Sequence, residues 1–360
     1  APIPIDASHA LSRMAWMAAH REGLWAQCRH VLLPKDWIIA QLTGQVVSDP
    51  LSAVGLAGVD LSYAPAILAL VPRAASVLPA LRDPLQIAGV IRSGAFRGVR
   101  VATGTMDAWA AMFGLGVADE GEAMYLSGTS EVLGLISATR QPEKGIITFP
   151  DWRGITLHAG PTQAGGASLD WLARLFGKTP AELGQLAASA TLTATSPLFL
   201  PHLEGERAPL WDPASRGSFV GLSSATGPGE LAACVMEGVA FSARLAFDAV
   251  ARSGDCAVSV LRHGGGGASS DHWCQIRANV LDRSLSRVAT PQAGAMGALV
   301  MGGVAADILP DLVAATRAMV RVERVFTPDG AAAEQKDQRF ALYHELYAAT
   351  APVNAALLGL

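Results

Sequence analysis

Three short glycine-rich segments constrain this chain more than any other feature: Gly104-Thr-Met-Asp107, Leu126-Ser-Gly-Thr-Ser130 and His263-Gly-Gly-Gly-Gly-Ala-Ser-Ser270. Each leaves bare backbone beside a carboxylate or several hydroxyls, the arrangement that lets main-chain N–H groups approach a polar ligand. Their surroundings alternate between strand and helix. Gly98-Val-Arg-Val-Ala-Thr-Gly104 reads as a short buried strand, and Asp107 to Gly116 has the small, apolar composition of a packed helix, so Asp107 falls at a strand-to-helix junction. Ala123–Leu126 and Val132–Ile136 read as a hairpin closed by Ser127-Gly-Thr-Ser130. Further helices are expected over 168–176, 229–252, 270–282, 293–306 and 336–357. The fold class is α/β, and no repeat of solenoid length recurs.

Upstream, apolar residues at helical spacing predict one amphipathic helix over residues 9–28. A second runs from Lys35 to Leu42 and is closed by Thr43-Gly44, with a loop at Asp49-Pro50 and Gly55 and irregular, proline-punctuated chain to residue 98. The polar Asp119-Glu-Gly-Glu122 places a domain boundary near residue 118. With 360 residues, half of them hydrophobic, the chain is long enough for two cores meeting at a cleft. The 27 basic and 31 acidic residues form no long run of either sign, which argues against a nucleic-acid partner or a membrane surface. Charged residues, Pro or Trp break every apolar run before the roughly 20 residues of a membrane helix. Cys28, Cys234, Cys256 and Cys274 are scattered without metal-site or disulfide spacing, as for reduced thiols in the cytoplasm. Ala1-Pro-Ile-Pro-Ile5 has no signal-peptide character and reads as a cut end.

On chemistry alone, a carboxylate in the first turn of a helix that follows a strand is placed to accept a proton from a substrate hydroxyl, with simple helix capping as the alternative. The Ser127–Ser130 turn suits phosphate, although such turns also close ordinary hairpins. The glycine quartet with a helix behind it favours a flat or anionic ligand. A dinucleotide fold would need an acidic residue about 20 positions after its glycines, and Asp282 arrives too early.

In this order, the three elements resemble those of the FGGY carbohydrate kinases. The resemblance extends to His30-Val-Leu-Leu-Pro-Lys-Asp-Trp-Ile with Leu42-Thr-Gly-Gln, to Pro201-His-Leu-Glu-Gly-Glu-Arg-Ala-Pro209 with Trp211-Asp-Pro213, and to Gly217–Leu222 running on to Val235-Met-Glu-Gly238. It implies an actin-like, ribonuclease-H-like architecture of two lobes. Residues 1–118 would be the remainder of the first, sugar-binding lobe and 119–360 the second, nucleotide-binding lobe. Asp107 is then the catalytic base; Gly128, Thr129 and Ser130 bind phosphate, Gly265, Gly266, Gly267 and Ala268 bind adenosine with Trp273 and Gln275 behind them, and Thr105, Glu206 and Arg207 lie on the substrate side. Before the resemblance is considered, an adjacent Glu206–Arg207 pair is more readily an interdomain salt bridge. His158, His202 and His263 are assigned structural roles.

The implied activity is ATP-dependent phosphorylation of a small sugar or polyol, with Mg²⁺ accompanying ATP. A xylulose-like pentulose is favoured; tetritol, glycerol and aldonate remain open, and a homodimer is compatible. The sequence departs from the family pattern at Ala108, Arg13 and Cys234. It contains no D-x-G-T-x-x-x-K first phosphate motif, so the first lobe is expected to be incomplete. Residues 1–360 alone are then expected to bind nucleotide weakly and to show negligible activity. A non-catalytic fragment or pseudokinase is the alternative, and an actin- or chaperone-like ATPase fits the Asp107 segment and the G-E-R-x-P block less well.

Overall fold

A computed structural model describes Ala7 and residues 9–359, so Ala1-Pro-Ile-Pro-Ile5 lies outside the described residues. The helices are α1 (Ala10–His20), α2 (Glu22–Gln27), α3 (Pro34–Thr43), α4 (Pro65–Leu68), α5 (Ala74–Val77), α6 (Asp107–Gly114), α7 (Gly166–Phe176), α8 (Pro180–Ala188), α9 (Pro228–Gly254), α10 (Asp271–Leu281), α11 (Ala293–Ala305), α12 (Leu312–Met319) and α13 (Gly330–Leu357). The strands are β1 (Val47–Ser48), β2 (Ala80–Leu81), β3 (Ile87–Val90), β4 (Arg100–Ala102), β5 (Glu122–Ser127), β6 (Glu131–Ile136), β7 (Ile147–Thr148), β8 (Leu157–Pro161), β9 (Leu198–Leu200), β10 (Ser218–Val220), β11 (Val260–Gly264), β12 (Leu285–Val288) and β13 (Val322–Phe326).

One seven-stranded sheet, in the order β13-β12-β11-β5-β6-β8-β7, organises the larger part of the molecule. Its middle strands β5, β11 and β12 are parallel, while β5–β6 is the expected antiparallel hairpin, closing at the Ser127–Glu131 pair. Side chains alternate across it as strand geometry requires. Ala123, Tyr125, Leu133 and Leu135 pack under α9 and α10, whereas Met124, Ile136 and Leu157 pack with α6, α11 and α12. The buried helix α9 crosses β6 and β8 and also supports α8 and α10. Among the described residues, no helix is long and apolar enough to cross a membrane.

The N-terminal part has its own small core of Leu11, Met14, Trp25, Leu56, Leu68, Val71 and Val77. The single helix expected over 9–28 is two helices, broken at Arg21 (φ −139°, ψ 47°). The break turns Trp25 inward, where its Nε1 donates to the Pro72 carbonyl at 3.0 Å, and that burial outweighs continuation of α1 through Arg21. Helix α3 ends as expected, with Gly44 left-handed at φ 70°.

Helix α6 joins the two parts. Trp109, Met112 and Phe113 are fully buried in the core of the seven-stranded sheet, while Asp107 at its start is exposed. It crosses α11 backbone against backbone: a Cβ on Gly297 would lie 1.6 Å from the Ala110 carbonyl oxygen, and one on Gly114 1.8 Å from that of Ala293. Gly297→Ala is therefore expected to cost about 3 kcal/mol, because rigid backbone rather than a side chain must yield. Denaturant unfolding would show this, and an unchanged midpoint would refute the close crossing.

All three histidines assigned structural roles are buried. His158 bonds Ser253 Oγ at 2.8 Å, His202 bonds Ser215 Oγ at 2.7 Å, and His263 Nδ1 lies 2.9 Å from the Tyr125 carbonyl. Burial holds His202 down to about 4; burial, then the Arg277 charge, holds His263 down to about 3. Both folded values lie below the unfolded one, so the unfolded state binds more protons and stability falls as pH drops from about 6.5 toward them. We expect a loss of about 2 kcal/mol per histidine between pH 8 and pH 5. The pH slope of denaturant unfolding should be shallower in His263→Phe; this comparison separates His263 from Glu206, whose burial-raised pKa acts with opposite sign. Identical slopes would refute the assignment.

Candidate active site

In the three-residue turn of the β5–β6 hairpin, Gly128-Thr-Ser130, the first two residues are exposed and Ser130 is half-buried, while Ser127 and Glu131 at its two ends are buried. The N-terminus of α7 holds the turn from behind: Gly166 N–H donates to the Gly128 carbonyl at 2.9 Å and Ala167 N–H to that of Thr129 at 3.1 Å. With those carbonyls occupied, the Thr129 and Ser130 N–H groups have no acceptor among the described residues. Two amides without an acceptor on a tight turn are able to seat an anion.

The turn separates two cavities. On one side is a cleft of about 700 Å³ lined by Asp107, Met106, Ala108, Ser130, Arg207, Trp211 and residues of α1 to α3, among them Arg13 and Met14. On the other is a cavity of about 780 Å³ lined by Gly128, Thr129, Gly266, Gly267, Ser270, His272, Trp273 and by Ala181, Gly184 and Gln185 of α8. Asp107 and Ser130 of the turn therefore face one cleft, as their spacing along the chain alone does not reveal. The Asp107 carboxylate Oδ1 accepts the Ala108 N–H at 2.8 Å within its own helix's first turn, where the helix dipole favours the anion.

Of the adenosine quartet, Gly266 and Gly267 line the second cavity. Gly265 instead backs onto the turn, and Ala268 is buried with its carbonyl taken by Arg287 at 3.1 Å. Trp273 lines the cavity, but Gln275 donates its amide to Asn279 and to the Thr327 carbonyl. Much of the remaining wall is α8, which sequence reading left out although Thr179-Pro-Ala-Glu182 is a complete capping box.

Glu206 and Arg207 face different surroundings, and of the two only Arg207 lines the cleft. The Glu206 carboxylate is buried behind it, accepting Ser242 Oγ at 2.7 Å and the Arg207 N–H at 2.8 Å, with burial raising its pKa. This corrects its substrate-side placement: adjacent residues of an irregular segment face opposite ways. The Arg207 guanidinium donates to Ser130 Oγ at 3.2 Å and to the Thr162 carbonyl, which brings a fixed positive charge to the turn. Thr105 is likewise committed elsewhere, since its hydroxyl donates to Asp49 Oδ1 at 2.9 Å. Asp49 also pairs with Lys35 at 2.9 Å, so a polar cluster not foreseen from sequence anchors the segment leading to Asp107.

An exposed carboxylate, an amide-lined turn with an arginine, and a glycine loop beyond them form a path between two cavities. Known proteins share the path's framework. Residues 2–114 match the N-terminal domain and 123–306 the C-terminal domain of the FGGY family of carbohydrate kinases. Xylulose kinase of Escherichia coli K12 is 29% identical over 356 residues, covering 95% of this chain and 73% of that protein. The crystal structure of a xylulose kinase from Brucella ovis, 28% identical, superposes with a TM-score of 0.83 over 95% of this chain and 73% of that one. Gluconate kinase of Lactobacillus acidophilus, at 23% identity, shares the fold with a TM-score of 0.89 over 99% of this chain and 75% of its own. The two-lobed, actin-like fold is therefore common to all of them, and with both domains matched in order this chain belongs to the FGGY family of carbohydrate kinases.

Proposed function

We propose that the protein transfers the γ-phosphoryl group of ATP to a hydroxyl of a small sugar, with a pentulose of the xylulose type favoured. The observation that carries this reading is the Gly128–Ser130 turn standing between the Asp107 cleft and the glycine-loop cavity. A phosphoryl group handed from nucleotide to sugar has to pass such a boundary. The xylulose preference rests on the E. coli and B. ovis relatives, and the L. acidophilus gluconate kinase keeps an aldonate as the competing substrate.

In this mechanism, sugar binds in the cleft with the reacting hydroxyl at Asp107, whose carboxylate accepts the proton as the oxygen attacks phosphorus. ADP leaves toward Gly266 and Gly267. The amides of Thr129 and Ser130 and the Arg207 guanidinium offset charge on the transferring group, and alignment supplies most of the rate. Mg²⁺ enters with ATP as part of the substrate, held largely by phosphate oxygens. The division at residue 118, with 1–118 on the sugar side and 119–360 on the nucleotide side, belongs to the same proposal; α6 then carries Asp107 at the cleft while packed against α11 of the nucleotide side. Four free cysteines are what a reducing compartment leaves, which supports a cytoplasmic setting for the reaction.

An ADP-release assay of the natural gene product against xylulose, gluconate, glycerol and a tetritol tests the reading. Asp107→Asn keeps the volume and removes the proton acceptor, so kcat should fall about 100-fold or more while ADP affinity stays within about 2-fold. Near-normal turnover would overturn the assignment. At Gly266 an added Cβ meets nothing within 4 Å, so Gly266→Val should fold normally yet occupy the nucleotide cavity. We expect ADP affinity to drop about 10-fold or more; calorimetry showing wild-type affinity would remove the glycine loop from the nucleotide site.

A further inference from the structure

Beneath the turn and the glycine loop lies a fully buried charged cluster that lines neither cavity. Glu131 Oε1 receives Arg277 Nη2 at 2.8 Å and Ser127 Oγ at 3.1 Å, and its Oε2 receives the Tyr125 hydroxyl at 2.6 Å. Arg277 Nε donates to that same hydroxyl at 3.1 Å, its Nη1 donates to the Gly267 carbonyl at 2.8 Å, and the guanidinium lies 4.2 Å from the Trp273 ring centre. Each end of the pair thus terminates on a ligand-facing segment. Glu131 closes the phosphate turn by holding Ser127 at its other end, while Arg277 grips the loop at Gly267 and the cavity wall at Trp273.

Backbone contact couples the two segments further. A Cβ on Gly265 would lie 2.3 Å from the Ser127 carbonyl oxygen, and one on Gly267 2.8 Å from Ser127 Cβ, so neither segment can shift without the other. A buried ion pair alone is weak support for stability, because desolvation cancels much of its attraction; what a fully hydrogen-bonded pair, joined directly once and again through the Tyr125 hydroxyl, does supply is fixed geometry. We propose that Glu131 and Arg277, bridged by Tyr125, are positioning residues that set the spacing between the phosphate turn and the glycine loop, and so hold the nucleotide's terminal phosphate at the cleft. This inference rests on the nucleotide reading of the second cavity.

The test is a double variant, Glu131→Leu with Arg277→Met, which removes both charges together and leaves no unpaired ion in the core. In the full-length protein we expect a folded enzyme whose ADP dissociation constant and KM for ATP rise about 10-fold while KM for xylulose changes less than about 2-fold. ADP affinity within about 2-fold of wild type, or equal losses for nucleotide and sugar, would overturn the proposal. Should the double variant fail to fold, Tyr125→Phe decides: it keeps the ring and should weaken ADP about 3-fold without changing KM for xylulose, and unchanged ADP binding overturns the proposal. A wild-type protein that binds no ADP overturns the nucleotide reading together with this one, whereas normal wild-type binding with an insensitive variant overturns this one alone.

Discussion

The structure depends on a three-residue turn wedged between two pairs of glycines. On one side Gly265 and Gly267 back onto Ser127; on the other, a Cβ on Gly165 would lie 2.5 Å from the Thr129 carbonyl oxygen and one on Gly166 2.9 Å from that of Gly128. Side chains at any of these positions would push the turn out of line. At Gly165, Gly166 and Gly265 the contacts are backbone to backbone, so they leave little slack and hold the turn in a way that no side-chain rotamer can alter. The glycines singled out as ligand-facing therefore have a double role, with Gly266 open to the cavity and its neighbours making room for the turn.

The same solution recurs where Asp107 is placed. The residues that locate this carboxylate belong to the opposite face of the seven-stranded sheet: Trp109, Met112 and Phe113 anchor α6 in the core, and Gly114 and Gly297 let it lie directly on α11. The cleft side adds polar bracing through Lys35, Asp49 and Thr105. Asp107 thus sits on a helix fixed by one part of the molecule and opens into a cleft completed by the other.

The hairpin, its turn, the glycine loop and the start of α6 were legible in the sequence because each is local: alternation, turn chemistry and capping act over a few residues. The break at Arg21 was not, since what decides it is burial of Trp25 against chain far along the sequence. Nor was the opposite facing of Glu206 and Arg207, which depends on Ser242 and Ser130, both distant in sequence. Glu131 and Arg277 are 146 positions apart, and no composition or spacing rule pairs them. Helix α8 is a different case, because its capping box was present and the short apolar stretch behind it was too small and mixed to stand out.

The two sides of the turn are braced unequally, and the inequality follows from what each holds. On the glycine-loop side, the bracing charges of Glu131 and Arg277 are fully buried, with hydrogen bonds in fixed directions. On the cleft side, Lys35 remains partly exposed, and the walls from α1 and α2 rest on a small core of their own. A nucleotide presents the same phosphates and base each time, so a rigid seat loses nothing. Under the proposed function, a sugar cleft that must admit its substrate and then exclude water gains from walls that rest on a separate core. At the Gly114–Gly297 crossing these demands meet, since α6 must stay packed on α11 while its first turn opens into the cleft.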